Sequence, residues 1–187
     1  MHARFYLLVS IILLTGTIAA QKFNQLRKAL KTPAQVIELK LKREKLQNIP
    51  EEVLEFSNLE VLDLTNNELT SIDIDFSQLT KLHTLILSKN SLTNFPARLS
   101  SMPALKTLIL DRNPIDSIPD SVLRFTKLQH LDLWDTEVKY ISPEIVKLPN
   151  LQYLDLRNTY FKSEELKWIK EQSKTIELKS TYGCNCD

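Results

Sequence analysis

Apolar residues return along this chain at a fixed spacing of 23 residues. VIELKL at 36–41 is followed by LEVLDL at 59–64, LHTLIL at 82–87, LKTLIL at 105–110, LQHLDL at 128–133 and LQYLDL at 151–156. Within each stretch the L-x-L alternation is the period of a strand with one buried face, so every unit predicts a short strand like residues 61–65. A unit of this length cannot bury its apolar face alone, so the units must stack into a solenoid. Stacking builds a parallel sheet with strands about 4.8 Å apart. Its product is a surface rather than a pocket.

A second apolar set follows each of the first five strands in register. Ile49-Pro50, Phe95-Pro96 and Ile118-Pro119 open the return segment, with Ile72 and Ile141 in the same column but without the following proline. Val53, Phe76, Leu99, Val122 and Ile145 then form one column, and Phe56, Leu79, Met102, Phe125 and Leu148 another. These columns are the expected second wall of the core. At the packing density of protein interiors, cutting one of them to Ala is expected to cost ~2–5 kcal/mol.

Between strand and return segment, Asn67, Asn90 and Asn113 occupy one column, which holds Glu44, Thr136 and Thr159 in the other repeats. A buried Asn amide can satisfy backbone groups where the chain turns inward, and a Thr hydroxyl keeps one donor for the same task. The ladder is therefore expected to weaken at its ends. Gly16 and Gly183 are the only glycines, so Asn and Pro are expected to carry the turns.

The repeat L-x-x-L-x-L-x-x-N-x-L, clearest in Leu59, Leu62, Leu64, Asn67 and Leu69, resembles that of bacterial leucine-rich repeat proteins of the 23-residue type, related to the plant intracellular Ras-group repeats. The resemblance runs over roughly residues 36–161. It implies an α/β horseshoe with its strands on the concave side and protein ligands as the usual partners. The Asn column is broken in the outer repeats, and the cysteine-rich caps of animal extracellular members are missing. Both departures favour a bacterial origin.

A solenoid needs its ends covered. Phe23, Leu26, Ala29 and Leu30 share a face at helical spacing, so 21–35 reads as the N-terminal cap before six repeats over 36–161. In the C-terminal cap, 162–179, Ser163 is expected to cap a helix reaching about Glu171, and the alternation around Ile176 and Leu178 predicts a last strand. The tail, 180–187, carries Cys184 and Cys186, the only cysteines. Two thiols and a distant His fall short of a metal site, and no cofactor is expected.

Residues 1–20 read as a secretory signal: His2 and Arg4 precede a mostly apolar run from Phe5 to Ile18, and Ala19-Ala20 offers small residues for cleavage. The run is shorter than the ~20 apolar residues that span a bilayer, so no membrane insertion is expected after cleavage. Export then places the protein in a secreted, periplasmic or cell-surface location. The formal net charge is +1, and removing the signal takes away only Arg4, leaving 23 acidic and 23 basic residues. A balanced chain without a basic block gives no electrostatic reason to expect nucleic acid.

Specificity has to come from the outward strand positions. The third positions read Glu38, Val61, Thr84, Thr107, His130 and Tyr153; the fifth, Lys40, Asp63, Ile86, Ile109, Asp132 and Asp155; the seventh, Lys42, Thr65, Ser88, Asp111, Trp134 and Arg157. The first strand is basic. The last two gather His130, Asp132, Trp134, Tyr153, Asp155 and Arg157, with Asp111 beside them and Ile86 and Ile109 as an apolar middle. Trp, Tyr and Arg are enriched at binding hot spots, so this patch is the candidate partner site. The competing reading is a solvated face on which Trp134 stacks with Arg157.

His130, Asp132 and Asp155 are ingredients of acid–base chemistry, but an open sheet does not exclude water and no Ser or Cys nucleophile accompanies them. The expectation is a non-catalytic module binding a protein ligand on its concave face. An intracellular scaffold that regulates an enzyme and a glycan-binding surface protein are the alternatives.

Overall fold

The computed structural model describes residues 20–181. Most of the expected signal segment, together with Cys184 and Cys186, lies outside the described residues. The strands are β1 (Gln21–Phe23), β2 (Val36–Lys40), β3 (Val61–Asp63), β4 (Thr84–Ile86), β5 (Thr107–Ile109), β6 (Ser117–Ile118), β7 (His130–Asp132), β8 (Tyr140–Ile141), β9 (Tyr153–Leu156) and β10 (Glu177–Ser180), and all but the two end strands follow the 23-residue period. Eight of them form one parallel sheet in the order β1-β2-β3-β4-β5-β7-β9-β10. From β2 to β9 the register never slips, so residues 23 apart lie side by side, as Val61, Thr84, Thr107, His130 and Tyr153 do. β6 and β8 pair separately on the return side.

One continuous core lies between the sheet and the return segments. Leu62, Leu85, Leu108, Leu131 and Leu154 are fully buried from the sheet side, and Val53, Phe76, Leu99, Val122 and Ile145 meet them from the other. Pro50, Pro96 and Pro119 each precede a 3₁₀ turn, over Glu51–Glu55, Ala97–Ser101 and Asp120–Arg124. The ring fixes φ at the point where the turn begins. A fourth turn, Pro143–Lys147, starts behind Ser142, whose hydroxyl accepts from the Glu144 N–H and donates to Asp120. The repeat with Ile72 and no proline has no such turn.

The Asn column works as a ladder between repeats. Asn90 Nδ2 donates to the carbonyls of Leu64 and Leu87, and its Oδ1 accepts from Leu69 N–H; Asn113 repeats the arrangement with Leu87, Leu110 and Leu92. Thr136 and Thr159 donate only to carbonyls of their own repeat, those of Leu133 and Leu156. A hydroxyl is too short to reach the repeat before.

The turns themselves are made differently from the expectation that Asn and Pro carry them. The residue before the Asn column has positive φ in every repeat: Arg43, Asn66, Lys89, Arg112, Asp135 and Asn158. Two are Asn; none is Gly. Each of the first five donates its N–H to the next repeat, as Lys89 does to the Asp111 carbonyl at 2.9 Å, so inter-repeat hydrogen bonding holds the left-handed backbone in place.

At the N-terminal end β1 pairs with β2, and a single helical turn, α1 (Leu26–Ala29), buries Ala29 against the core. At the other end α2 (Lys167–Gln172) buries Ile169. It starts later than expected: the Ser163 hydroxyl donates to the Thr181 carbonyl and caps no helix. Among the described residues no helix is long and apolar enough to cross a membrane.

Candidate functional site

Three neighbouring strands place nine side chains on the concave face as a three-by-three block. β5, β7 and β9, each with a residue just beyond its end, supply Thr107, Ile109 and Asp111; His130, Asp132 and Trp134; and Tyr153, Asp155 and Arg157. Asp132 is at the centre. Ile86 lies one strand further, in register with Ile109. All the residues of the expected partner site therefore fall on one surface.

His130 and Tyr153 stack with ring centroids 4.2 Å apart and planes 11° from parallel. The Tyr153 hydroxyl donates to Asp155 Oδ2 at 3.1 Å, which fixes the outer ring of the stack. Burial raises the Tyr153 pKa above the ordinary tyrosine value, and the Asp155 charge pushes it the same way.

Trp134 is half-buried rather than exposed, and the guanidinium over it belongs to Arg112, 4.8 Å from the ring centroid. The Trp134–Arg157 stack of the competing reading is not formed. Arg157 is committed to Asp155 through Nε and one terminal nitrogen, the latter at 2.6 Å. It balances that carboxylate. Arg112 has positive φ, which turns its side chain back over the strand ends, a direction the column pattern does not contain.

The aspartates do local work that the column reading missed. Asp63, Asp132 and Asp155 each accept, through Oδ1, the backbone N–H two residues on, from Thr65, Trp134 and Arg157 at 3.1, 2.9 and 3.0 Å. An Asp side chain that captures this N–H favours a turn. β3 stops at Asp63, but β4 and β5 stop at the equivalent Ile86 and Ile109 without an Asp, so the capture reinforces a strand end that the repeat itself sets. The signal was present as Asp at the fifth strand position in three repeats.

Charge on this face is matched almost everywhere. The expected basic first strand is neutralised: Lys22 and Lys40 both hold Glu38 at 2.6 Å, and Lys42 holds Asp63 at 2.8 Å. Glu38 is held below the usual carboxylate range by hydrogen bonds from Lys22 and Lys40, and Lys40 is raised by the same bond. Asp111 is buried, accepts a hydrogen bond from the Ser88 hydroxyl, and pairs with Arg112 at 2.6 Å. Burial pushes Asp155 up, but bonds from Arg157 and Tyr153 outweigh it and hold the carboxyl low. Asp132 goes the other way: burial raises it, and the charges of Asp155 and Asp111 add to the rise.

No hydrogen bond joins His130 to Asp132 among the described residues, and Asp155 is closed off by its own partners, so the block contains no assembled acid–base pair. Among the described residues no three His, Cys, Asp or Glu side chains converge as metal ligands would. A cleft of about 490 Å³ lies away from the block, on the return side, where Ile74, Ala97, Arg98, Ser101 and Arg124 line it.

A parallel solenoid of stacked 23-residue units with a varied face of strand residues defines a repeat scaffold. The chain belongs to the leucine-rich repeat family: the model described as "Leucine rich repeat" matches residues 34–92 and 103–161, and that for "Leucine Rich repeats (2 copies)" matches 80–123. Among solved structures it is similar to a leucine-rich repeat protein of Leptospira interrogans, with 28% identity and a TM-score of 0.71 over 87% of this chain and 48% of that one. The chain thus spans about half the length of that protein. This agrees with the resemblance to bacterial members of the family. No curated protein matches the sequence. Proteins of this family generally serve as interaction modules without catalytic activity.

Proposed function

We propose that this protein is an exported interaction module that binds another protein on its concave face, centred on Trp134 and Tyr153. The observation that carries the proposal is the His130–Tyr153 stack standing beside Trp134 on an otherwise small or aliphatic surface of Thr84, Thr107, Ile86 and Ile109. These rings are already fixed, His130 and Tyr153 by each other and Trp134 by Arg112. A partner therefore meets aromatic area whose ordering cost has been met during folding. Ile86 and Ile109 extend the same surface with apolar contact.

Export rests on the first twenty residues, with their basic start and apolar run. Sequencing the N-terminus of the protein from its host checks it: a mature chain beginning near Gln21 supports export, and one beginning at Met1 in the cytoplasm overturns it. For binding, the test is capture from the host's secreted and surface fractions with wild type and Trp134→Ala side by side. Loss of a defined partner in the variant, with a folded chain and a cooperative melt, supports the site. Equal capture by both overturns it.

A further inference from the structure

Among the described residues, every carboxylate at an outward strand position has a cation except Asp132. Glu38 has Lys22 and Lys40, Asp63 has Lys42, Asp111 has Arg112, Asp155 has Arg157 and Glu177 has Lys179, each at 2.6–2.8 Å. Asp132, at the centre of the aromatic block, has none among the described residues. The two nearest arginines are not free to turn to it. Arg157 spends three hydrogen bonds on Asp155, and Arg112 is tied to Asp111 through Nε and a terminal nitrogen while its plane covers Trp134.

One oxygen of Asp132 is already used. Oδ1 accepts the Trp134 N–H at 2.9 Å, which orients the carboxylate. Oδ2 has no partner among the described residues. Around it stand Ile109 on one side in register, Asp155 on the other, the His130–Tyr153 stack at one end and Trp134 at the other. The spot combines an unpaired negative charge with aromatic and aliphatic walls, a match for a long side chain that is apolar along its stem and cationic at its tip.

We infer that the partner presents an arginine or lysine to this face, its cationic head on Asp132 Oδ2 and its methylenes against Ile109. The inference rests on the concave face being the binding surface. It says what chemistry that surface selects: a basic side chain projecting from a protein, with Asp132 as the residue that discriminates it. Half-burial and the neighbouring charges of Asp111 and Asp155 leave the centre of the block one positive charge short, and a partner's cation supplies it. A metal ion is a poorer occupant, because the two flanking carboxylates are already held by arginines.

The test uses the full chain and two probes of the same shape, ethylguanidinium and N-ethylurea, followed by NMR at the Asp132 and Trp134 amides and the Trp134 indole. Saturable shifts with ethylguanidinium are expected, none with the neutral urea, and binding about five-fold weaker or worse in Asp132→Asn. The Asn oxygen still accepts the Trp134 N–H, so that variant removes charge without removing the turn. Absence of saturable shifts at these positions overturns the inference, as does an unchanged response in Asp132→Asn. Equal shifts from calcium chloride at matched ionic strength overturn it too, in favour of a metal ion. Once a partner is captured, dependence on Trp134 without dependence on Asp132 sinks this inference alone. Dependence on neither sinks the concave-face reading as well.

Discussion

Asp132 and Asp155 lie opposite each other in register on adjacent strands, yet their carboxyls are shifted in opposite directions. The difference comes from the residue two positions on. Arg157 folds back onto Asp155, whereas Trp134, the equivalent residue of the preceding repeat, brings a backbone N–H but no charge.

Substituting each aspartate by Asn is therefore expected to move stability in opposite senses. Asp132 is raised above its ordinary value, so it favours the folded state while protonated, and that contribution is lost as pH rises through its native pKa. Asp132→Asn should raise the thermal midpoint at pH 7, with the gain fading as pH falls toward the ordinary aspartate value of about 3.9. Asp155 is lowered, so its contribution is present above the ordinary value and lost as pH falls through the native one. Asp155→Asn should lower the midpoint at pH 7, and the deficit should close in acid. Calorimetry of the three proteins between neutral pH and about pH 3 reads both signs.

The Asn ladder predicts a gradient along the solenoid. Asn90→Ala leaves the Leu69 N–H and the carbonyls of Leu64 and Leu87 without their side-chain partner. Several buried polar groups stripped at once should cost about 3–5 kcal/mol. Thr136→Ala loses one bond, to the Leu133 carbonyl, and should cost about 1 kcal/mol. Urea unfolding of the two variants measures the contrast; equal losses would mean that the ladder does not join the repeats.

Much of this was legible in the chain. The 23-residue period placed the strands, their register and both walls of the core, because burial acts on every repeat alike and leaves the same mark each time. Neighbourhood on the concave face followed from register, which is why the nine candidate residues came together. Pairing within that neighbourhood did not follow. Arg112, not Arg157, covers Trp134, because a left-handed residue at a strand end aims its side chain across the columns. The left-handed column itself was hidden for a related reason. It is imposed by hydrogen bonds to the next repeat, so Arg, Lys, Asn and Asp all occupy it and leave no compositional signature.

That column can be probed at Lys89, exposed and at φ 54°. A β-branched side chain tolerates this region poorly, so Lys89→Val should cost about 1–3 kcal/mol. Lys89→Gly should change stability little, since relief of the left-handed strain is offset by about 0.5–1 kcal/mol of unfolded-chain entropy. Lys106→Val serves as control, being exposed without positive φ. Chemical denaturation that ranks the glycine variant below the valine one would contradict a backbone origin.

Arg112 gives the sharpest reading of the aromatic block. Its guanidinium lies 4.8 Å from the Trp134 ring centroid and also carries the ion pair to buried Asp111. Arg112→Ala should uncover the indole, red-shifting its emission and increasing quenching by acrylamide, measured in a Trp168→Phe background so that Trp134 reports alone. Stability should fall by about 1–2 kcal/mol, from the lost cation–π contact and the weakened partner set of Asp111. Arg157→Ala should leave the emission where it is, because that guanidinium serves Asp155. The reverse result, with Arg157→Ala shifting the spectrum and Arg112→Ala silent, would reinstate the Trp134–Arg157 stack that the strand columns alone suggest.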